Sequence, residues 1–467
     1  MKVMMGIEVH CQLSSKSKLF CSCSTNTKDK KPNENTCPIC LGFPGSKPKV
    51  NKAVIDYGIM VAKALNCKIA EKMYFSRKSY FYPDMSKNFQ ITQYEIPLAV
   101  NGFLEIDGEK IRIKRIHIEE DPAKLVHKGG DITTASYVLI DYNRAGMPLL
   151  EIVTEPDFTT PKQVRLFLEK LSSILEHLGV YEAEREASLR VDANISLEGG
   201  ERIEIKNITG FADVEKALNY EIVRQRGLLR MNMKVERETR HFDADRRVTK
   251  SLRKKEYEED YGYIFDPDLA EIEISKQWID KISEKMPELP DQRVQRFVKQ
   301  YGIDEYQAKV IIYTDKNLAD FFEKCCEKYK NAEKAAKWII TYLLKSLNWH
   351  SISIKQSKVS VDSFVEFLEL MDNNTITERY AKELIKEYVD TGVSPKELIK
   401  GKVKSLSEKD LKDIILKVLE ENQKAVQEYL QGKEKSIEFL IGQVLAKTKK
   451  QADPKIIRKI LLSCIKK

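Results

Sequence analysis

What this chain of 467 residues lacks narrows it before any motif does. It has no run of about 18 apolar residues, the length a membrane-spanning helix requires. Its opening, Met1-Lys2-Val3-Met4-Met5-Gly6-Ile7-Glu8, has no unbroken apolar stretch of the kind found in a secretory signal. The expectation is therefore a cytoplasmic protein without a membrane partner. There is no GxxxxGK[ST] phosphate loop, so any ATP site is of another type. No Gly-x-Ser-x-Gly elbow and no Gly/Ser-rich stretch with a partnering lysine supplies a hydrolytic nucleophile. Internal repeats and low-complexity segments are also missing, which excludes solenoids and fibres. Cysteines number nine, an odd count, and four of them cluster in the spacing of a metal site, so disulfide pairing is not the first reading.

Glycine, proline and histidine are scarce in one part only. Of 20 Gly, 15 Pro and 6 His, only five, two and one follow residue 290. The charge divides at the same place. Residues 1–290 hold 45 basic and 45 acidic side chains, whereas 291–467 hold 34 and 26, the whole net +8. A neutral part rich in Gly and Pro suits strands, loops and site chemistry. A lysine-rich part nearly free of both suits helices that meet a polyanion.

Within 1–290, Ile7 to Leu13 alternates and puts Glu8, His10 and Gln12 on one strand face. Leu189–Leu197 alternates too, presenting Arg190, Asp192, Asn194 and Ser196, with Glu198-Gly199-Gly200-Glu201 as a turn into a hairpin partner at 202–206. Helices fit 50–66, 161–178 and 213–230, the second entered through Thr160-Pro161. Met286-Pro287-Glu288-Leu289-Pro290 is a boundary, with Asp291 a candidate N-cap. A second break, Thr391 to Gly401, precedes a last helical unit.

Cys21-Ser22-Cys23 and Cys37-Pro38-Ile39-Cys40 flank one Asn/Lys/Pro-rich loop. Two short cysteine pairs at the ends of one loop suit a closed tetrahedral thiolate site, so a structural zinc is expected on Cys21, Cys23, Cys37 and Cys40. Glu8 and His10, two apart on a strand, stand side by side, where they can share a divalent cation or relay a proton. In Glu109–Asp121 the parity set by Ile111 and Ile113 changes to that of Ile116 and Ile118, which predicts a bulge. Glu151 sits inside the apolar run Met147–Val153, where a carboxylate needs a metal, a base or a raised pKa. The mixture of cations and aromatics in Arg77–Asp84 and in Ile91–Tyr94 suits a nucleotide or the terminal bases of an RNA. A tyrosine-rich sheet edge explains it equally well. His241, Asp243, Arg246 and Arg247 read either as substrate contacts or as a solvated loop.

Taken in order and spacing, five segments resemble the GatB/GatE family, and within it GatB of the aspartyl/glutamyl-tRNA amidotransferases. They are Gly6–His10, Arg77–Asp84, His117–Asp121, Asp141–Ile152 and Leu189–Ser196. Gly442-Gln443 and Ala452-Asp453-Pro454 resemble the family's tail. The resemblance implies conversion of Asp-tRNA(Asn) or Glu-tRNA(Gln) to the amide. ATP would phosphorylate the aminoacyl carboxylate, and ammonia released from glutamine by an amidase partner, GatA, would displace the phosphate. A small third component, GatC, usually accompanies them. It further implies magnesium on His10, Glu120 and Glu151, with Glu8 guiding or deprotonating ammonium. Lys78, Tyr80, Tyr82, Arg190, Asp192 and Asn194 are the candidate nucleotide contacts. Asp260-Tyr261-Gly262-Tyr263-Ile264-Phe265 departs from the family's Asp-Tyr-Arg-Tyr-Phe-Pro. The sister protein GatE carries an inserted domain for which this chain has no room. The alternatives are a GatE-like, glutamate-only enzyme and a non-catalytic zinc-bearing tRNA-binding protein, which would leave the carboxylates unused. The expected architecture is α+β: a mixed, partly antiparallel catalytic cradle at 1–290, an all-α domain at 291–404 and a tRNA-binding helical tail at 405–467.

Overall fold

The computed structural model describes all residues except 130–134, 186–187, 255–261, 401–407, 434, 449–453 and 466–467. Asp260, Tyr261, Ala452 and Asp453, singled out above, lie outside the described residues. The chain is α+β and divides into two compact units, Met1–Pro290 and Asp291–Lys467.

The strands of the first unit are β1 (Val3–Gln12), β2 (Lys68–Ile69), β3 (Lys72–Met73), β4 (Ser76–Ser79), β5 (Phe89–Thr92), β6 (Ala99–Ile106), β7 (Glu109–Glu120), β8 (Lys124–Lys128), β9 (Tyr137–Asp141), β10 (Pro148–Thr154), β11 (Leu189–Leu197), β12 (Ile203–Ile208), β13 (Glu238–Asp243), β14 (Val248–Lys254), β15 (Gly262–Phe265) and β16 (Ile272–Glu273). Its helices are α1 (Lys52–Ala64), α2 (Pro161–His177), α3 (Phe211–Arg230) and α4 (Lys276–Ser283). Nine strands form one sheet in the order β14-β13-β12-β11-β1-β10-β7-β6-β2. Its pairings are antiparallel apart from β12 with β13, which run parallel because α3 carries the chain back between them. A smaller sheet, β15-β4-β5, carries the aromatic and cationic segment.

Alternation decides which face of the sheet is which. Met5, Ile7, Val9 and Cys11 of β1 are buried in one apolar core with Ile59 of α1 and Phe167 and Leu171 of α2. Glu8 and His10 consequently point to the opposite face. The helix α2 starts with a capping box: Gln163 N–H donates to Thr160 Oγ1, and Thr160 N–H donates to Gln163 Oε1. The expected bulge is present. Val153 pairs with Arg115 and Thr154 with Ile113, which leaves Lys114 as the extra residue of β7. At Gly102 of β6, an added Cβ would lie 2.6 Å from the Leu65 carbonyl oxygen, so only glycine lets β6 pass the end of α1.

The second unit is helical: α5 (Pro290–Tyr301), α6 (Glu305–Thr314), α7 (Lys316–Lys328), α8 (Ala332–Trp338), a π-helical turn at Ile339–Leu343, α9 (Leu344–Trp349), α10 (Val361–Asp372), α11 (Glu378–Thr391), α12 (Pro395–Ile399), α13 (Glu408–Glu421), α14 (Gln423–Leu430), α15 (Lys435–Lys447) and α16 (Pro454–Ile465). Asp291, read as an N-cap, lies within the first turn of α5, where it accepts the Tyr313 hydroxyl. The unit's described residues form two apolar clusters. One runs from Val294 to Ile399 and holds Trp338, Phe364, Phe367 and Tyr388. The other runs from Leu411 to Leu461, and the two share no residue. No described helix is long and apolar enough to cross a membrane.

Candidate functional site

The face of the large sheet away from its helices floors a cleft of about 620 Å³. Register assembles it. His10 pairs with Glu151 on one side and with Arg190 on the other, and Glu151 pairs with His117, so these four occupy one row across the sheet. Glu8 pairs with Asp192 in the next row. His10 Nε2 lies 3.6 Å from Glu151 Oε2 and 3.7 Å from Glu119 Oε1. His117 Nε2 lies 2.8 Å from the same Glu151 oxygen and 3.7 Å from Glu119 Oε2. His10, Glu119 and Glu151 can each offer an atom within 4.8 Å of the others, a donor set of two carboxylates and one imidazole.

The charges on this floor hold one another in place. Burial opposes ionisation of Glu151, but His117 and His10 outweigh it and hold the carboxyl below its ordinary range. Burial likewise works against a charged His117, yet Glu151 and Glu119 push it up to about 9. Glu8 is raised, first by burial and then by Glu151, Asp192 and Glu204. Lys206 stands among these acids, with Nζ 3.4 Å from Asp192 and 3.7 Å from Glu204. They favour its charged ammonium, although the side chain is partly buried. A second bulge aims this group: Val191 pairs with Ile208 but Ala193 with Ile205, and Asn207, in left-handed conformation, donates its N–H to Asp192 Oδ1.

Of the residues expected from the sequence, Glu8, His10, Glu151, Lys78, Tyr80, Arg190 and Asp192 line the cleft. Tyr82 is exposed and stands outside that lining. Asn194 donates to Glu8 Oε1 at 3.1 Å and faces an adjoining cavity of about 260 Å³. Glu120 is not brought to His10 and Glu151. Its carboxylate accepts Ile91 N–H at 2.9 Å and ion-pairs with Lys87, on the side of β7 opposite Glu119. The parity change in β7 explains why. If Ile116 and Ile118 face the core, Glu120 shares their parity, whereas His117 and Glu119 face the cleft. Lys206 and Glu204 were legible in the same way from Ile203-Glu204-Ile205-Lys206, whose alternation puts both opposite the isoleucines. His241 and Asp243 lie on β13, and Asp243 pairs with Lys250 at 2.7 Å in the hairpin to β14.

A second constellation lies on the loop after β1. The Sγ atoms of Cys21, Cys23, Cys37 and Cys40 lie within 4.8 Å of one another. Tetrahedral zinc with bonds of ~2.3 Å requires sulfurs roughly 3.8 Å apart, and Cys37 and Cys40 are separated by 3.8 Å. The donor set fits. The Cys40 thiol is lowered to about 5, by the Cys21 hydrogen bond first and by Cys37 N–H and Lys18 as well, against burial. Lys18, for which the sequence carried no signal, is fully buried with Nζ 3.8 Å from Cys40 Sγ and 3.1 Å from the Asn35 carbonyl. A buried ammonium there offsets the negative charge of a thiolate cluster. Cys40→Ser is expected to release bound zinc and destabilise residues 18–46, read by metal analysis in reducing buffer and by proteolysis. A metal-free wild-type chain with the same protease resistance would overturn the assignment.

Known proteins share both units. A family model described as the GatB/GatE catalytic domain matches residues 3–280, and a second, described as a GatB domain, matches 320–465. The aspartyl/glutamyl-tRNA(Asn/Gln) amidotransferase B subunit of Saccharolobus solfataricus is 49% identical over 466 residues, covering 98% of each chain. Proteins of the same name are 46% identical in Methanospirillum hungatei, over 100% of this chain and 99% of theirs, and 43% identical in Thermotoga maritima, over 98% and 97%.

Proposed function

Because the chain belongs to the GatB/GatE family, we propose that it is the GatB component of a tRNA-dependent amidotransferase, acting on Asp-tRNA(Asn), Glu-tRNA(Gln) or both. It is then an ATP-dependent carbon–nitrogen ligase whose amide nitrogen comes from glutamine. The observation that carries this reading is the cleft floor, where His10, Glu119 and Glu151 converge as a possible metal donor set beside the acids Glu8, Asp192 and Glu204. On this reading ATP phosphorylates the aminoacyl side-chain carboxylate. Ammonia then attacks the acyl phosphate, forming the C–N bond as phosphate leaves.

The cleft's own residues divide that work. Arg190, Arg115 and Lys206 supply fixed cations for phosphate oxygens. Lys78 and Tyr80 offer a cation and an aromatic face to the nucleotide. Glu8, with Asp192 and Glu204 beside it, holds ammonium or takes its proton before attack, a task that suits a carboxyl raised from its ordinary range. His10, Glu119 and Glu151 would hold a magnesium ion, Glu119 standing where Glu120 was expected. Magnesium bound there would neutralise charge on the transferring phosphoryl group. His117 orients Glu151 and Glu119 by bridging them. The four thiols would hold a structural zinc.

A heteromer is part of the proposal, since the catalytic nucleophile for releasing ammonia has no place in this sequence. The amidase GatA would supply it, with the small GatC alongside. The full chain, assembled with its amidase partner and given glutamine and ATP, is expected to amidate at least one of the two misacylated tRNAs. Turnover of glutamine with neither tRNA amidated would overturn the reading.

A further inference from the structure

Trp349, at the end of α9, is 85% exposed, while the chain's other two tryptophans are engaged. Trp338 is 2% exposed in the core, and Trp278 donates its indole N–H to Asp56 at 2.7 Å. Leaving so large an apolar side chain in water costs free energy that a packed domain normally recovers. The stretch of chain that carries it is charged with one sign. Between Glu333 and Asp362 there is no acidic residue, whereas five lysines fall there. One of them, Lys345, precedes Trp349 by a turn and is exposed on the same helical face.

Two contacts fix what stands alongside. Lys382 of α11 lies 5.4 Å from the centre of the Tyr342 ring, and Asp390 of α11 pairs with His350 at 2.5 Å. From 342 to 350 and from 382 to 390 both segments advance about two turns, so they run side by side in the same direction. Exposed Lys386 therefore falls between the two contacts, beside the turn that carries Lys345 and Trp349. Asp390 is spent on His350, and the acids Glu383 and Glu387 project further round α11. The result is an exposed indole flanked by ammonium groups from two helices.

We infer that Trp349 is a stacking platform for an unpaired nucleobase of the tRNA, with Lys345 and Lys386 on the adjacent phosphates. Aromatic faces accept any base, and lysines hold the backbone without reading sequence. A protein partner is the weaker occupant, because a partner docking here must be acidic enough to answer the lysines. An RNA is so by construction. The inference rests on the tRNA reading above and adds to it a base-contacting residue in the helical unit.

The test uses the full-length chain and an unacylated tRNA transcript. Since Trp349 is the exposed tryptophan, tRNA should quench the indole emission in proportion to binding. Heparin, a polyanion without bases, should bind without that quench. Trp349→Phe should lose the quench and keep most of the affinity. Trp349→Ala should raise the Kd for tRNA by about tenfold and raise KM in amidation while leaving kcat unchanged. Unchanged tRNA affinity in Trp349→Ala, or an equal quench by heparin, overturns the inference. So does loss of the amidase partner from Trp349→Ala at unaltered tRNA affinity, which would make the indole a protein contact. Failure of the functional reading is separate: there the wild-type complex itself amidates no tRNA, whatever Trp349 does in binding.

Discussion

Glu151→Gln is expected to lower ATP-dependent phosphorylation of the aminoacyl carboxylate at least about a hundredfold, because glutamine keeps the shape but not the charge. The side chain is buried at the centre of β10, and its lowered carboxyl pKa reflects His117 and His10 on either side. An amide there leaves His117 facing one acid in place of two and removes a negative ligand from the proposed magnesium set. The measurement is ADP release that depends on misacylated tRNA, with glutamine hydrolysis by the partner as the internal control. Two further variants localise the metal. Glu119→Gln should behave like Glu151→Gln and shift the magnesium requirement upward. Glu120→Gln should leave that requirement alone, since Glu120 spends its oxygens on Ile91 N–H and Lys87. Wild-type kinase activity in Glu151→Gln would make this carboxylate a structural one.

That pair of glutamates also shows how far the sequence can be read. Alternation located β1, β11 and the hairpin to β12, because one face of each strand is buried and a slip of one residue would expose it. It also announced the bulge in β7, since an extra residue leaves its trace as a change of apolar parity. Which of two adjacent carboxylates reaches the site was contained in the same parity, and the family resemblance pointed to the other one. Lys18 was not legible at all. A lysine in a loop carries no pattern, and its burial depends on the cysteine cluster folding over it. Trp349 is illegible for the opposite reason: at helical spacing it reads as one more core residue beside Trp338, and only the packing leaves it outside.

Deleting residues 405–467 is expected to raise KM for misacylated tRNA and to flatten the salt dependence of binding, each lost phosphate contact removing roughly 0.7–0.9 unit of slope. All of the chain's net positive charge follows residue 290, and it is densest at the end. The last helices bury Ile457 and Leu461 in a cluster with Leu411, Ile415 and Leu440, which leaves Arg458 and Lys459 on the outer face. Part of that charge is answered locally, Lys447 by Glu421 and Arg458 by Glu438 at 2.8 Å, both at exposed positions where such pairs are weak and exchange readily for phosphate. Ile456, Ile457, Ile460, Leu461, Leu462 and Ile465 recur at helical spacing, yet Ile456 is half exposed, so the packed stripe of α16 is narrower than that spacing implies. Lys449, Lys450, Lys466 and Lys467 lie outside the described residues, as does the side chain of Lys455. The truncation should spare the rest of the protein. Among the described residues, the cluster from Val294 to Ile399 takes no side chain from the deleted segment, and the cleft residues from Glu8 to Tyr263 all precede it. Magnesium-dependent ATP binding should therefore be retained while tRNA affinity falls. A truncated chain that binds misacylated tRNA as tightly, and with the same salt slope, would remove the tail from the tRNA-binding surface and leave that role to the helices around Trp349.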